Sequence, residues 1–308
     1  MPNDPTAITL TPVHAAPVRS AGVLRGMMLM CFGVLMFPFL NTCAKLLTAH
    51  YPVQQIVWAR FAGHLLLVVL AFLPKRGLGL FVVRRPAIQI GRSFLLLAAT
   101  GLFISAIGRI PLATASAIGF TAPLMVTALS VPLLGETVGP RRWAAILVGF
   151  AGAMLIIRPG AGFGDPAILL LLGNAVCYAL YQIATRRGSA HDTAETGIVY
   201  AALIGTLVTS LGVPFVFRAP DSLLDLFLFA GVGFFGGLGH YLLTKAFQLG
   251  AAALISPLGY AELIGSTILG FFVFGNLPDL WTVVGAAIII ASGVYVAIRE
   301  YRLRTLSR

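Results

Sequence analysis

The feature that most limits how this chain can fold is a succession of ten apolar runs. They cover approximately residues 23–47, 53–73, 90–109, 111–134, 141–157, 166–185, 196–217, 223–248, 251–274 and 277–298. A helix needs about 20 apolar residues to cross about 30 Å of hydrocarbon, and the runs lack the strict alternation of barrel strands. The sequence therefore predicts an all-α integral membrane protein with ten transmembrane helices.

The charged residues indicate how these helices are oriented. Only 10% of the 308 residues are charged, against about 25% in soluble domains, and the net charge is +11. Most of the 21 Lys and Arg residues fall on the side that holds both termini, whereas the other side has only Lys45, Arg109, Arg158 and Arg218. Because Lys and Arg are retained in the cytoplasm, we expect a multi-pass protein of a bacterial-type inner (plasma) membrane with both termini cytoplasmic. Basic residues distributed in this way do not indicate binding to nucleic acid.

The chain contains an internal repeat. When residues 111–135 are shifted by 140 positions onto 251–275, six positions are identical, and Phe120 meets Tyr260. The predicted repeats are residues 22–158 and 165–300, with a disordered cytoplasmic tail at 1–21 and a basic cytoplasmic tail at 301–308. Each repeat has five spans, and an odd number makes the second repeat cross the membrane in the opposite sense. Inverted repeats are typical of secondary transporters, which bind substrate near the midplane between the halves.

Several motifs in these repeats resemble a known family. They are I-P-L-A-T-A-S-A-I-G-F-T-A-P-L (110–124), L-L-G-E (133–136) and R-R-W (141–143) in the first repeat, and S-P-L-G-Y-A-E-L-I-G-S (256–266) in the second. The chain resembles the EamA family of the drug/metabolite transporter (DMT) superfamily from about residue 22 to 300. The resemblance implies ten helices in two inverted five-helix repeats and transport of small organic solutes. Substrates of the superfamily include amino acids, S-adenosylmethionine and riboflavin.

The most informative single residue is Glu262, a carboxylate in the middle of an apolar run. Ionisable residues within a span are costly and therefore suggest function. The equivalent position of the first repeat is Ala122, so the charge belongs to one half only. Two interpretations stay open: a buried carboxyl that pins helices together, or a group for substrate recognition or proton coupling.

Other polar and aromatic residues lie within the spans at helical spacing. Arg60 and His64 are four residues apart and share a helix face, as do Asn41 and Lys45, and the sequence leaves open whether Arg60 is structural or binds substrate. Asn174, Tyr178 and Gln182 form one polar stripe that faces protein or water. The predicted substrate-binding residues are Asn41, Arg60, His64, Tyr178, His240, Tyr241, Ser256, Tyr260 and Glu262.

Prolines and glycines within the spans predict local geometry. Pro123 and Pro257 lie in the fourth and ninth spans, which are equivalent in the two repeats, and we expect both helices to bend around a central cavity. Gly231, Gly233 and Gly236 match G-x-G-x-x-G but lie in an apolar span rather than after a strand. Gly233 and Gly237 instead predict close helix packing.

The sequence has no motif for a catalytic site, a metal site, a cofactor site or an ATPase domain. We therefore expect a transporter that works by alternating access, with the lipid bilayer and a small-molecule substrate as partners and no cofactor. One acid, a few bases and several aromatic residues favour an amino acid or a derivative such as S-adenosylmethionine, with riboflavin as the alternative. Coupling to a proton or to a counter-substrate stays open, and a membrane enzyme or a channel is less favoured.

Overall fold

The computed structural model describes residues 20–158, 165–188, 191–249 and 256–306, and every regular element in these ranges is helical. The helices are α1 (Ser20–Leu47), α2 (Val53–Arg76), α3 (Pro86–Ile107), α4 (Leu112–Gly119), α5 (Ala122–Leu134), α6 (Pro140–Ile157), α7 (Pro166–Gly188), α8 (Ala194–Gly212), α9 (Leu223–Leu249), α10 (Ala261–Phe274) and α11 (Leu280–Leu306). Short 3-10 helices cover Gly77–Phe81, Val213–Phe215 and Ser256–Tyr260. The described residues begin with α1, so the predicted N-terminal tail before Ser20 lies outside them. The predicted C-terminal tail is helical as far as Leu306.

The predicted all-α membrane fold is confirmed in the part of the chain that the structure describes. Within the described ranges, nine stretches are long and apolar enough to cross a bilayer, and α4 and α5 together form one of them. The shorter apolar stretch Leu258–Phe274 matches the ninth predicted span, whose first residues, 251–255, lie outside the described ranges. We call the membrane face that holds the start of α1 and the end of α11 the terminal side, and the other face the opposite side.

The helix contacts follow the symmetry expected of an inverted repeat. Helices α1 and α7 are equivalent in the two halves, and so are α3 and α9. The α1–α9 pair and the α3–α7 pair both form extensive contacts, and the symmetry of the repeat relates the first contact to the second. The second spans, α2 and α8, pack on each other, as do the last spans, α6 and α11. The two halves are thus interleaved, and the space between them lies at the centre of the bundle.

The fourth and ninth spans are both interrupted at the same place in the repeat. In the fourth span, α4 ends at Gly119 and α5 begins at Ala122, with Pro123 in its first turn. In the ninth span a 3-10 helix ends at Tyr260, the equivalent of Phe120, and α10 begins at once. The regular α-helix is therefore interrupted near both predicted prolines: Pro123 lies in the first turn of α5, and Pro257 lies in the 3-10 helix that precedes α10.

Glycines allow a close helix crossing between α2 and α9. A Cβ placed on Gly63 of α2 would come within 2.6 Å of Gly233 Cα in α9, and a Cβ on Gly237 would come within 3.2 Å of His64 Cα. These backbones approach so closely that only glycine fits. The close packing predicted for Gly233 and Gly237 is confirmed, and it brings the polar residues of α2 against α9.

Candidate functional site: a central cavity

A cavity of about 540 Å³ lies where the two halves meet. This volume is within the range of small-molecule sites, about 300–1,000 Å³. Its wall is formed by residues of α1, α2, α3, α4, α5, α7, α9, α10 and α11, together with the residues at the two breaks. The wall combines many apolar side chains with a few polar ones near the middle of the spans, as is typical of ligand sites.

The described wall of the cavity reaches toward the terminal side, and hydrogen bonds join helices on the opposite side. Toward the terminal side its wall reaches Gln182, Phe247 and Ala297. Toward the opposite side the hydroxyls of Ser116 and Ser266 share a hydrogen bond of 2.9 Å, which joins α4 to α10. Further out, Lys45 Nζ donates to the Ile110 carbonyl at 2.7 Å.

Arg60 contributes a buried positive charge to the wall. Its side chain is on α2 and the residue is only 7% exposed. Nη1 donates to Thr100 Oγ1 at 2.7 Å, and the guanidinium lies 4.9 Å from the centre of the Phe61 ring. No described carboxylate forms an ion pair with Arg60. A buried guanidinium without a counter-charge is costly, so an anionic group entering the cavity would be stabilised there.

Glu262 contributes a negative charge on another part of the same wall. It is half-buried and lies in the first turn of α10. The 3-10 helix Ser256–Tyr260 runs directly into α10, so Glu262 lies near the middle of the ninth span. Among the described residues Glu262 has no ion pair, not even with Arg60. Its carboxylate therefore faces the cavity rather than a protein partner.

Aromatic side chains line the space near this carboxylate. Phe120 and Tyr260 have ring centroids 5.0 Å apart. The Tyr260 hydroxyl lies directly against Gly293 of α11, where a Cβ would overlap it. Tyr178 of α7 also lines the cavity. The cavity can thus hold a flat apolar group beside two opposite charges.

The structure brings most of the predicted site residues to this cavity. Those in the wall are Asn41, Arg60, Tyr178, His240, Tyr260 and Glu262. His64 lies behind the wall, 1% exposed, and its ring stacks on that of His240 with centroids 5.0 Å apart and an angle of 9° between the planes.

Besides His64, two predicted residues are not placed in the wall. Tyr241 follows His240 on α9 but points away from the cavity, because successive residues of a helix do not share a face. Its ring packs against Phe72, 5.4 Å away, beside Val68 and Ile198. The expectation for Tyr241 is therefore corrected. Ser256 begins the 3-10 helix of the ninth span, and its side chain lies outside the part of the structure that is described.

Several wall residues were absent from the predicted site. Asn174 and Gln182 lie on one face of α7 with Tyr178, and Asn174 Nδ2 donates to the Ala99 carbonyl at 2.9 Å. Their four-residue spacing was the signal that could have placed them in the site. Thr100 gave no such signal, because a threonine in an apolar run most often bonds its own helix.

Comparisons with known proteins show what the chain as a whole is similar to. The model of the EamA-like transporter family matches residues 24–158 and 165–298. An S-adenosylmethionine uptake transporter of Rickettsia bellii (strain RML369-C) is 29% identical over 234 residues, which cover 76% of this chain and 80% of the relative. A riboflavin transporter of Rhizobium johnstonii is 28% identical over 290 residues, 92% of this chain and 95% of the relative. A protein of known crystal structure shares the fold with a TM-score of 0.63 at 21% identity, over 92% of this chain and 99% of the other.

Proposed function

Because the chain belongs to the EamA-like transporter family, we propose that it moves a zwitterionic metabolite across the membrane by alternating access. The substrate is an amino acid or a derivative such as S-adenosylmethionine. The observation that supports this most directly is the pair of opposite charges, Arg60 and Glu262, which line one cavity without pairing with each other. Two such charges attract strongly at low dielectric, and a substrate that carries both signs satisfies both of them.

The cavity favours one arrangement of such a substrate. Its carboxylate binds the guanidinium of Arg60, because planar guanidinium groups match carboxylates in geometry. Its cationic group binds Glu262. An adenine ring, or another flat group, packs beside Phe120 and Tyr260, whose faces are apolar. The name of the Rickettsia relative supports this choice of substrate.

The orientation of the protein follows from its basic residues. We place the terminal side in the cytoplasm of a bacterial-type inner membrane, because that side carries most of the Lys and Arg residues. We infer that the cavity is reached from the cytoplasm in this conformation, because its wall extends toward that side. In alternating access the two repeats rock about the central site, and the opposite side opens when the contacts there break.

Counterflow in proteoliposomes tests the substrate. We expect uptake of S-adenosylmethionine by the wild type, with weaker uptake of the decarboxylated compound and of S-adenosylhomocysteine, which has one positive charge fewer. Arg60→Gln should lower S-adenosylmethionine uptake and remove the preference for the carboxylate. Glu262→Gln should instead remove the preference for the additional positive charge. If both variants keep both preferences, the charges do not recognise the substrate.

Riboflavin is the second candidate, supported by the aromatic wall and by the Rhizobium relative. The same assay separates the two candidates. Riboflavin has no charged group at neutral pH, so its uptake should depend on Tyr260 and survive both charge substitutions. Riboflavin uptake by the wild type without S-adenosylmethionine uptake would decide for this alternative.

A further inference from the structure

Arg92 of α3 is a second buried arginine, and it lies outside the cavity wall. It is 5% exposed, and no described carboxylate pairs with it. Its guanidinium lies against Gly197 of α8, where a Cβ would overlap it. Nε has no hydrogen-bond partner among the described residues. A buried guanidinium without a counter-charge is costly, so the contacts that hold Arg92 in place call for a functional explanation.

One side of Arg92 connects to the cavity through two tyrosines. Nη2 donates to the Tyr181 hydroxyl at 3.2 Å, and the guanidinium lies 5.2 Å from the centre of the Tyr181 ring. The Tyr181 ring contacts that of Tyr178, with centroids 5.7 Å apart. Tyr178 is part of the cavity wall. The position of that wall residue therefore depends on a neighbour that Arg92 holds.

The other side of Arg92 connects to the loop between α7 and α8. Nη1 donates to Gln89 Oε1 at 3.3 Å. Gln89 Nε2 in turn donates to Asp192 Oδ2 at 2.9 Å, and the backbone N–H of Arg84 donates to the other oxygen of Asp192 at 2.8 Å. A continuous series of side-chain contacts thus runs from the terminal-side loop to the cavity.

We propose that Arg92 is a positioning residue that fixes Tyr181, and through it Tyr178, against the cavity, and that it couples this wall to the loop at Asp192. The guanidinium suits this role because its fork of donors reaches Gln89 and Tyr181 at the same time. A single ammonium group has no such fork. The proposal rests on the proposed role of the cavity as the substrate site. The counterflow test depends on the proposed substrate, whereas the thiol-labelling test does not.

The first test uses S-adenosylmethionine counterflow in proteoliposomes. Arg92→Gln and Tyr181→Phe should each raise the half-saturating concentration about ten-fold, the upper range for loss of one hydrogen bond, with little change in maximal rate. The double variant should be no worse than either single variant, since both remove the same contact. Arg92→Lys should behave like Arg92→Gln. A Lys variant equal to wild type would show that only the positive charge matters and would overturn the positioning role.

The second test follows the cavity itself by thiol labelling. A single cysteine is placed by Gln182→Cys in a protein in which Cys31, Cys43 and Cys177 are replaced by alanine. Tyr178 is one helical turn from this position, so a substitution that frees Tyr178 should also expose the cysteine. Arg92→Gln or Tyr181→Phe should therefore raise the rate of labelling by a polar maleimide about ten-fold, the factor expected for the loss of one hydrogen bond. Arg25→Gln, which changes an exposed arginine of α1, is the matched control and should leave the rate unchanged.

The two tests separate this proposal from the proposed substrate. If the wild type carries no S-adenosylmethionine but labelling responds as expected, the substrate is wrong and the positioning role stands. If Tyr181→Phe folds as the wild type does and leaves the labelling rate unchanged, the positioning role is overturned. The Tyr181 variant keeps the proposal testable even where an arginine variant fails to fold, because it removes one hydroxyl only.

Discussion

Phe120 and Tyr260 occupy equivalent positions of the two repeats, and their rings contact each other with centroids 5.0 Å apart. Equivalent residues touch only where the two halves meet, so this contact marks the centre of the bundle. Each of the two residues also lies at the break of its span. The interruption of the two helices, the contact between the halves and the cavity wall therefore coincide at one place.

The contact between Tyr260 and Gly293 predicts a pair of compensating substitutions. Gly293→Ala should displace Tyr260, because the new Cβ overlaps the hydroxyl, and should impair counterflow of the transported substrate. Tyr260→Phe removes that hydroxyl and should restore part of the activity in the double variant. Gly91→Ala is the control, since nothing lies within 4 Å of a Cβ there. A double variant no better than Gly293→Ala alone would contradict this geometry.

The crossing of α2 and α9 predicts a loss of stability on substitution. Gly233→Ala should lower the free energy of unfolding by about 1–3 kcal/mol, the usual cost of overpacking, because its Cβ would lie 2.7 Å from Gly63 Cα. Thermal unfolding in detergent measures the change. Gly101→Ala in α3, where a Cβ meets nothing within 4 Å, should leave the unfolding temperature unchanged or raise it. Equal effects of the two substitutions would argue against a close crossing.

The contacts of Lys45 predict a shift in the conformational equilibrium. Nζ bonds the Ile110 carbonyl at 2.7 Å and lies 5.2 Å from the centre of the Phe274 ring, which joins α1 to the ends of two other spans. These contacts must break when the opposite side opens, so Lys45→Met should increase the population open to that side. Thiol labelling of Asn41→Cys by a membrane-impermeant reagent added from the opposite side should become faster. Lys75→Met, at an exposed position near the terminal side, should not change the rate.

Asp192 predicts a dependence of stability on pH. Partial burial raises the pKa of this carboxyl, but hydrogen bonds from the Arg84 N–H and the Gln89 amide, together with others nearby, outweigh it and lower the pKa overall. A lowered pKa in the folded state stabilises the protein above the unfolded-state pKa, and this contribution is lost as the pH falls through the folded-state value.

Asp192→Asn removes that contribution and gives a direct test. The wild type should be the more stable protein at neutral pH, and the difference should shrink as the pH falls below about 4, near the ordinary pKa of aspartate. Unfolding temperatures of both proteins across this range measure it. Parallel pH profiles of the two proteins would show that the hydrogen bonds to the Asp192 carboxylate do not stabilise the folded state.

Much of this architecture could be predicted from the sequence, because hydrocarbon imposes strong rules. Spans such as 53–73 and 223–248 needed only their length and apolarity. The inverted repeat followed from the match of 111–135 to 251–275 and from the odd number of spans. Glu262 stood out because a carboxylate in an apolar run is costly. Tyr241 was misplaced because the sequence did not show which face of α9 meets the cavity.

The sequence by itself determined the class of protein, the number of spans, the repeat and the charged residues worth attention. These depend on local composition and on a comparison of the chain with itself. Only the tertiary structure decided that Arg60 and Glu262 share a cavity without pairing and that Arg92 reaches Tyr178 through Tyr181. Those relationships join residues that are tens to hundreds of positions apart in the sequence. They depend on which helix faces meet, and this is set by how the helices pack at their small residues.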